Sequence, residues 1–177
     1  SVNRGKRGIT LDLTHPRGRE IALDLIATAD VVIENFAAGV IEKLGLTYAT
    51  VSVRNPALIM LRQPGFGSDG PESGYVVFGN TIEGMSGLSS LIGYEGGPPT
   101  MLSNACGDPV SGLGGTLAVL AALEARSHDG KGRVLECAQL EGFLPMVSEA
   151  LIAYQQTGQQ PRRQADRRPG HTPSGAF

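Results

Sequence analysis

Asp108 stands between Gly107 and Pro109, at the start of the longest helical pattern in the chain. Asp is a preferred helix N-cap and Pro a preferred first helical residue, so the pattern assigns Asp108 to the cap of a helix over residues 109–126. The same placement suits a second role. A carboxylate exposed at a helix start is stabilised as an anion by the terminal amides, which also favour a developing oxyanion. Asp108 is therefore a candidate nucleophile, and the residue pattern leaves cap and nucleophile both open.

Two further segments carry candidate binding groups. Glu34-Asn35-Phe36 directly follows an apolar strand pattern at 31–33, and open α/β sheets bind ligands at the carboxyl ends of their strands. Asn35 there is either a carboxamide that bonds a nucleotide or an Asx turn that ends the strand. Gly65-Phe66-Gly67 follows another apolar run, and its glycines would let backbone amides approach a phosphate, although no G-x-G-x-x-G or Walker pattern accompanies them. Arg4, Lys6, Arg7 and Lys43 fall near predicted strand ends and helix starts, where such charges either meet phosphates or face solvent.

Other chemistries find no support. His15, His128 and His171 are scattered, with no second His or Cys at metal-ligand spacing and no Ser-His-Asp arrangement. Cys106 and Cys137 form neither a C-x-x-C motif nor a disulfide framework, so reduced thiols in a cytoplasmic protein are expected.

The elements that must position these groups read as α/β. Residues 9–13 alternate as a strand, Pro16 opens a helix, 31–33 and 57–61 are apolar strand runs, and helical turns at 40–44 and 48–53 lie between them. This β-α-β-α-β order favours a Rossmann-like parallel sheet flanked by helices. A long Gly/Pro-rich connection follows from 63 to 74, of the kind kept for function. Helical spacing resumes at 80–91. The helix at 109–126 is apolar nearly all round, which predicts burial. Residues 133–137 read as a strand. A last helix runs from Leu140 to Tyr154, with Pro145 as a kink and Gly158 as its stop. The tail, 159–177, has no periodicity and reads as a linker or arm.

Composition sets outer limits. The 177 residues include 25 Gly and 11 Pro, yet 41% are hydrophobic, 18% charged, and the net charge is −2, so a core forms and disorder is excluded. A balanced charge, 5% aromatics and no Trp argue against nucleic acid. The apolar stretch 110–123 falls short of the roughly 20 residues that span a bilayer. The chain starts without Met and reads as an excised segment.

The ordered motifs Asn3-Arg4-Gly5-Lys6-Arg7, Asp30-Val31-Val32-Ile33-Glu34-Asn35-Phe36, Leu44-Gly45-Leu46, Gly65-Phe66-Gly67, Met85-Ser86-Gly87-Leu88, Gly97-Pro98-Pro99, Gly107-Asp108, Gly130-Lys131-Gly132, Arg167-Arg168-Pro169 and Pro173-Ser174-Gly175 together resemble the class III CoA-transferases. These are also called the L-carnitine dehydratase and bile-acid-inducible protein family. The resemblance covers nearly the whole chain. It implies that residues 1–158 are part of a Rossmann-like CoA-binding large domain, and that 159–177 lead to a small domain outside this sequence. It places Asp108 at the catalytic aspartate. Asn35, Phe36, Val40, Lys43 and the backbone near Leu11 fall at the CoA site. Residues 75–83, with Phe78 and Glu83, fall beside the acyl group, where Glu83 is either a polar substrate contact or an exposed helix residue.

By the same resemblance, CoA moves from an acyl-CoA donor to a carboxylic acid acceptor through an aspartyl intermediate. The CoA thioester is a substrate, with no tightly bound cofactor and no metal. An interlocked homodimer is implied, without nucleic-acid or membrane partners, and the isolated segment is expected to be inactive. Thr14 replaces a frequent Lys, Lys43 a frequent Arg and Asp166 a usual Asn. α-Methylacyl-CoA racemases of the family carry a His-Asp pair where this chain has Phe78-Gly79. Phe78 offers neither the acid nor the base that proton exchange needs, so transferase is favoured over racemase. A lyase or isomerase of the same scaffold and a non-catalytic CoA-binding segment are the alternatives.

Overall fold

The computed structural model describes residues 3–102, 105–168 and 170–175; Ser1, Val2 and Pro169, which enter the sequence reading, lie outside these. In chain order the first half contains α1 (Pro16–Ala27), β1 (Val31–Glu34), the single turn α2 (Val40–Lys43), α3 (Tyr48–Arg54) and β2 (Ile59–Arg62). The second half contains α4 (Gly79–Met85), α5 (Leu88–Leu91), α6 (Gly107–Asp129), β3 (Arg133–Glu136), α7 (Gln139–Phe143), a 3₁₀ turn (Leu144–Val147) and α8 (Ser148–Thr157).

The three strands are parallel, in the order β1-β2-β3. The middle strand is buried through Ile59, Met60 and Leu61, as a continuous apolar run requires when helices cover both faces. On one face, Val32 and Met60 meet α1, α2 and α3 in a core with Leu23, Ile41, Leu46 and Val51. On the other face lies α6. Gly115 permits its close approach: a Cβ there would stand 2.9 Å from Leu61 Cδ2 and 2.5 Å from Gln63 Nε2. A second core of Ile82, Leu88, Phe143 and Val147 joins α4, α5 and α7.

Several expectations need correction. Residues 9–13 form no strand, because no described strand runs beside them to complete a ladder. Leu11 and Leu13 pack against the first core instead, and the Asp12 carboxylate closes a turn on Thr14 N at 2.9 Å. Asp108 is not the cap of α6. Cys106 takes that position and Asp108 is the second helical residue, which Pro109 tolerates because first-turn N–H groups need no intrahelical acceptor. Nor is α6 buried all round: Ser111, Gly115 and Ala122 face the protein, whereas Leu113, Leu117 and Leu120 are 71%, 70% and 58% exposed. The last helix is divided, since Pro145 turns its middle into the 3₁₀ segment between α7 and α8. Similarly, Gly87 at φ +86° separates α4 from α5. Within the tail, Arg163 donates to the carbonyls of Ser90 at 3.0 Å and Gly97 at 2.7 Å.

Candidate active site

All three strand exits contribute to one cleft. Asn35 and Phe36 follow β1, Gly65 follows β2 and Gln139 follows β3. With Asp108 and the segment 75–78 they enclose about 250 Å³. This is the carboxyl edge of the sheet, where parallel α/β folds place ligands.

Asp108 reaches the cleft because two glycines let α4 and α6 meet at their N-termini. A Cβ on Gly107 would stand 2.5 Å from Gly79 O. One on Gly79 would stand 2.8 Å from Ala105 O and 3.2 Å from Asp108 Oδ2. The approach to Asp108 is braced from below by Glu83. Its carboxylate is fully buried, accepting Leu102 N at 2.9 Å through Oε2 and Cys106 N at 2.8 Å through Oε1. Between these donors Ala105 holds φ +43°, a left-handed conformation that costs a non-glycine residue about 1 kcal/mol. Burial alone would raise the Glu83 pKa, but the N–H groups of Leu102 and Cys106 outweigh it and hold the carboxyl below its usual value. Burial and the adjacent Glu83 push the Cys106 thiol up, so it stays neutral.

Asn35 and Phe36 are fixed by an ion-pair group absent from the sequence reading. The parallel register aligns Glu34, Arg62 and Glu136 in one row. Arg62 Nε bonds Glu34 Oε1 at 3.0 Å, and its Nη2 bonds Glu42 Oε1 at 2.8 Å. The second Glu34 oxygen accepts Phe36 N at 2.9 Å, which sets the turn out of β1. Glu136 stands 4.0 Å from Arg62 and holds the glycine loop by accepting Ser68 N at 2.7 Å. Gln139 was likewise missed, since no motif marks it; its Nε2 donates to Gln63 O at 3.2 Å.

Of the eight residues named from sequence, Asp108, Asn35, Phe36 and Phe78 share the cleft. Leu11, Val40 and Lys43 do not line it: Leu11 packs on the first core, and Val40 and Lys43 bound α2, which Glu42 ties to Arg62. Glu83 is buried, not the exposed helix residue that was one of its two readings, and is not among the residues lining the cleft. Arg4, Lys6, Arg7 and Lys43 are exposed.

The sequence model of CoA-transferase family III matches residues 1–177. The chain belongs to CoA-transferase family III. It is 35% identical over 181 residues to an acetyl-CoA:oxalate CoA-transferase of Acetobacter aceti, an alignment covering 99% of this chain and 46% of that protein. It is 34% identical over 174 residues to a succinyl-CoA–D-citramalate CoA-transferase of Chloroflexus aurantiacus, covering 98% and 43% respectively. A crystal structure of a CAIB/BAIF family protein from Brucella suis superposes with a TM-score of 0.89 at 34% identity, over 96% of this chain and 45% of that one. The chain spans a little under half the length of these relatives.

In this family III chain a larger hollow, of about 420 Å³, lies beside the glycine loop. Its lining includes Asp69, Glu72, Glu136 and Glu141, which give it a negative wall. The Asp108 cleft has a single carboxylate among its lining residues.

Proposed function

We propose that the protein moves CoA from an acyl-CoA donor to a carboxylic acid acceptor, with Asp108 as nucleophile. The observation that carries this reading is the presence of Asp108 in one cleft with Asn35 and Phe36, at the sheet edge where a nucleotide ester would lie. Family membership supports the CoA chemistry.

A carboxylate oxygen of Asp108 attacks the thioester carbonyl. The C–S bond breaks, CoA leaves as the thiolate, and an acyl-aspartyl anhydride remains. The thiolate then attacks the aspartyl carbonyl, releasing the donor acid as a carboxylate and leaving an aspartyl-CoA thioester. The acceptor carboxylate repeats both steps in reverse order and restores Asp108. No net proton or oxidant is needed, and the thioester energy is retained throughout. The first turn of α6 supplies its positive end to the oxyanion of each addition. Asn35, Phe36, Val40, Lys43 and the backbone at Leu11 hold the CoA moiety. Residues 1–158 act as the CoA-binding part and 159–177 as a connection, within a cytoplasmic interlocked homodimer.

Proton exchange at an α-carbon is the less suitable reading, because Phe78 and Gly79 place no acid or base opposite Asp108. The test is exchange of isotope-labelled free acid into its CoA ester, measured on the polypeptide as the gene encodes it. Asp108→Asn should keep the fold and lose exchange by a factor of about 10³ or more. Retained exchange would remove Asp108 from the mechanism.

A further inference from the structure

We infer that Gln63, Ser111 and Gln139 form a closed hydrogen-bond ring that aims Asp108, and that the three are positioning residues for the transfer. This rests on the CoA-transfer reading above and goes beyond it, giving roles to side chains that belong to no motif and to no part of the ion-pair group. Each side chain in the ring donates to the backbone carbonyl of the next residue. Gln63 Nε2 donates to Ser111 O at 3.1 Å, Ser111 Oγ to Gln139 O at 2.7 Å, and Gln139 Nε2 to Gln63 O at 3.2 Å. Gln63 directly follows β2, Ser111 lies in the second turn of α6 and Gln139 opens α7, so the ring joins the exit of the middle strand to two helices.

The packing around the ring makes room for it. Ser111 is 3% exposed, and its hydroxyl is satisfied by Gln139 O. Gly115 opens the path by which the Gln63 carboxamide reaches Ser111 O: a Cβ on Gly115 would stand 2.5 Å from Gln63 Nε2 and 2.8 Å from its Cδ. Gly142 brings α7 against the same point of α6, where a Cβ would stand 3.5 Å from Ser111 Cα. The start of α7 is seated on the strand exit by two further bonds, Gln139 N to Pro64 O and Leu140 N to Gly65 O, each 3.0 Å.

Ser111 follows Asp108 by about one helical turn, so bonds that fix Ser111 also fix the height and rotation of the turn that carries the carboxylate. Glu83 holds the residues before Asp108, and the ring holds those after it. Gln139 belongs both to the ring and to the lining of the cleft, which ties the nucleophile's helix to the wall beside it. Attack on a carbonyl needs the nucleophile in line, and a misplacement of about 1 Å costs on the order of 10²-fold in rate.

The experiment follows exchange of isotope-labelled acetate into acetyl-CoA and of labelled succinate into succinyl-CoA, the donors in the names of the two relatives above, in the polypeptide as the gene encodes it. Ser111→Ala and Gln139→Met each remove one bond of the ring with little change in volume, and Gln139, half-buried at a helix start, leaves the core untouched. Each should lower kcat about tenfold or more, with KM and CoA affinity changed by less than about twofold. Because one missing bond already opens the ring, the double variant should lose no more than about twofold beyond the worse single variant. Ser111→Thr, which keeps the hydroxyl, should retain most of kcat. Unchanged kcat in both single variants, with only the urea midpoint lowered, would overturn the inference and leave the transferase reading intact. Losses that multiply in the double variant would overturn it as well. No exchange of either acid by the wild type, in protein shown to bind CoA, would overturn both.

Discussion

Glu83 Oε1 accepts the backbone N–H of Cys106 at 2.8 Å, two residues before Asp108, while its other oxygen holds Leu102 N. One buried carboxylate on α4 thus fixes both sides of the left-handed Ala105 turn and, through it, the start of α6. Glu83 is a positioning residue, acting through the backbone without touching the cleft.

Glu83→Leu leaves the part-buried N–H groups of Leu102 and Cys106 without their acceptor. It should cost about 2 kcal/mol or more in urea unfolding. Glu83→Gln retains one good acceptor and should cost less. If Glu83 positions Asp108, Glu83→Gln also lowers kcat more than it raises KM; a change confined to stability would leave it a purely structural group.

The depressed Glu83 pKa has a definite pH consequence. Its folded value lies below the ordinary value of 4.5, so its contribution to stability is complete above that value and is lost as pH falls through the folded one. Urea midpoints measured from pH 6 down to pH 3 should therefore fall more steeply for the wild type than for Glu83→Gln. Parallel curves would contradict the ionised, hydrogen-bonded state.

How far such relationships could be read from sequence depends on what carries them. The run Ile59-Met60-Leu61 announces a buried parallel strand because burial on both faces leaves no polar position. The alternation at 9–13 looks equally strand-like, but a strand exists only where a neighbour completes its ladder, and pattern says nothing of neighbours. Asp108 stood out by its type and its place before Pro109. Glu83 was named only as a substrate contact or an exposed helix residue, because a carboxylate bonding backbone N–H groups from another element leaves no side-chain motif for a bracing role. Arg62 and Glu34 meet through strand register, which joins residues 28 positions apart. Leu113, Leu117 and Leu120 belong to a helix whose composition cannot say which apolar side is covered.

Arg62→Met would leave Glu34 buried without its cation. The expected loss is about 3 kcal/mol, since removing one partner of a buried pair strands the other charge. CoA affinity, measured by calorimetry, should fall as well, because Glu34 anchors Phe36 N. Glu42→Gln, at the exposed end of the same group, should cost no more than about 1 kcal/mol.

Gly79→Ala and Gly84→Ala lie on the same short helix and should act in opposite directions. The methyl group at 79 meets Ala105 O and Asp108, so overpacking of about 1–3 kcal/mol and reduced turnover are expected. At 84 the Cβ meets open space, and the substitution should stabilise by roughly 0.5–1 kcal/mol. Thermal unfolding of the two variants decides the matter, and equal shifts would contradict the close packing at Gly79.

The most direct test of the central claim is peptide mass spectrometry of Asp108, in the polypeptide as the gene encodes it, after incubation with a panel of acyl-CoA esters. An acyl or CoA adduct on Asp108 that hydroxylamine converts to a hydroxamate, and that is absent from Asp108→Asn, is the predicted result. An unmodified Asp108 peptide in protein that binds CoA and turns over its esters would contradict it.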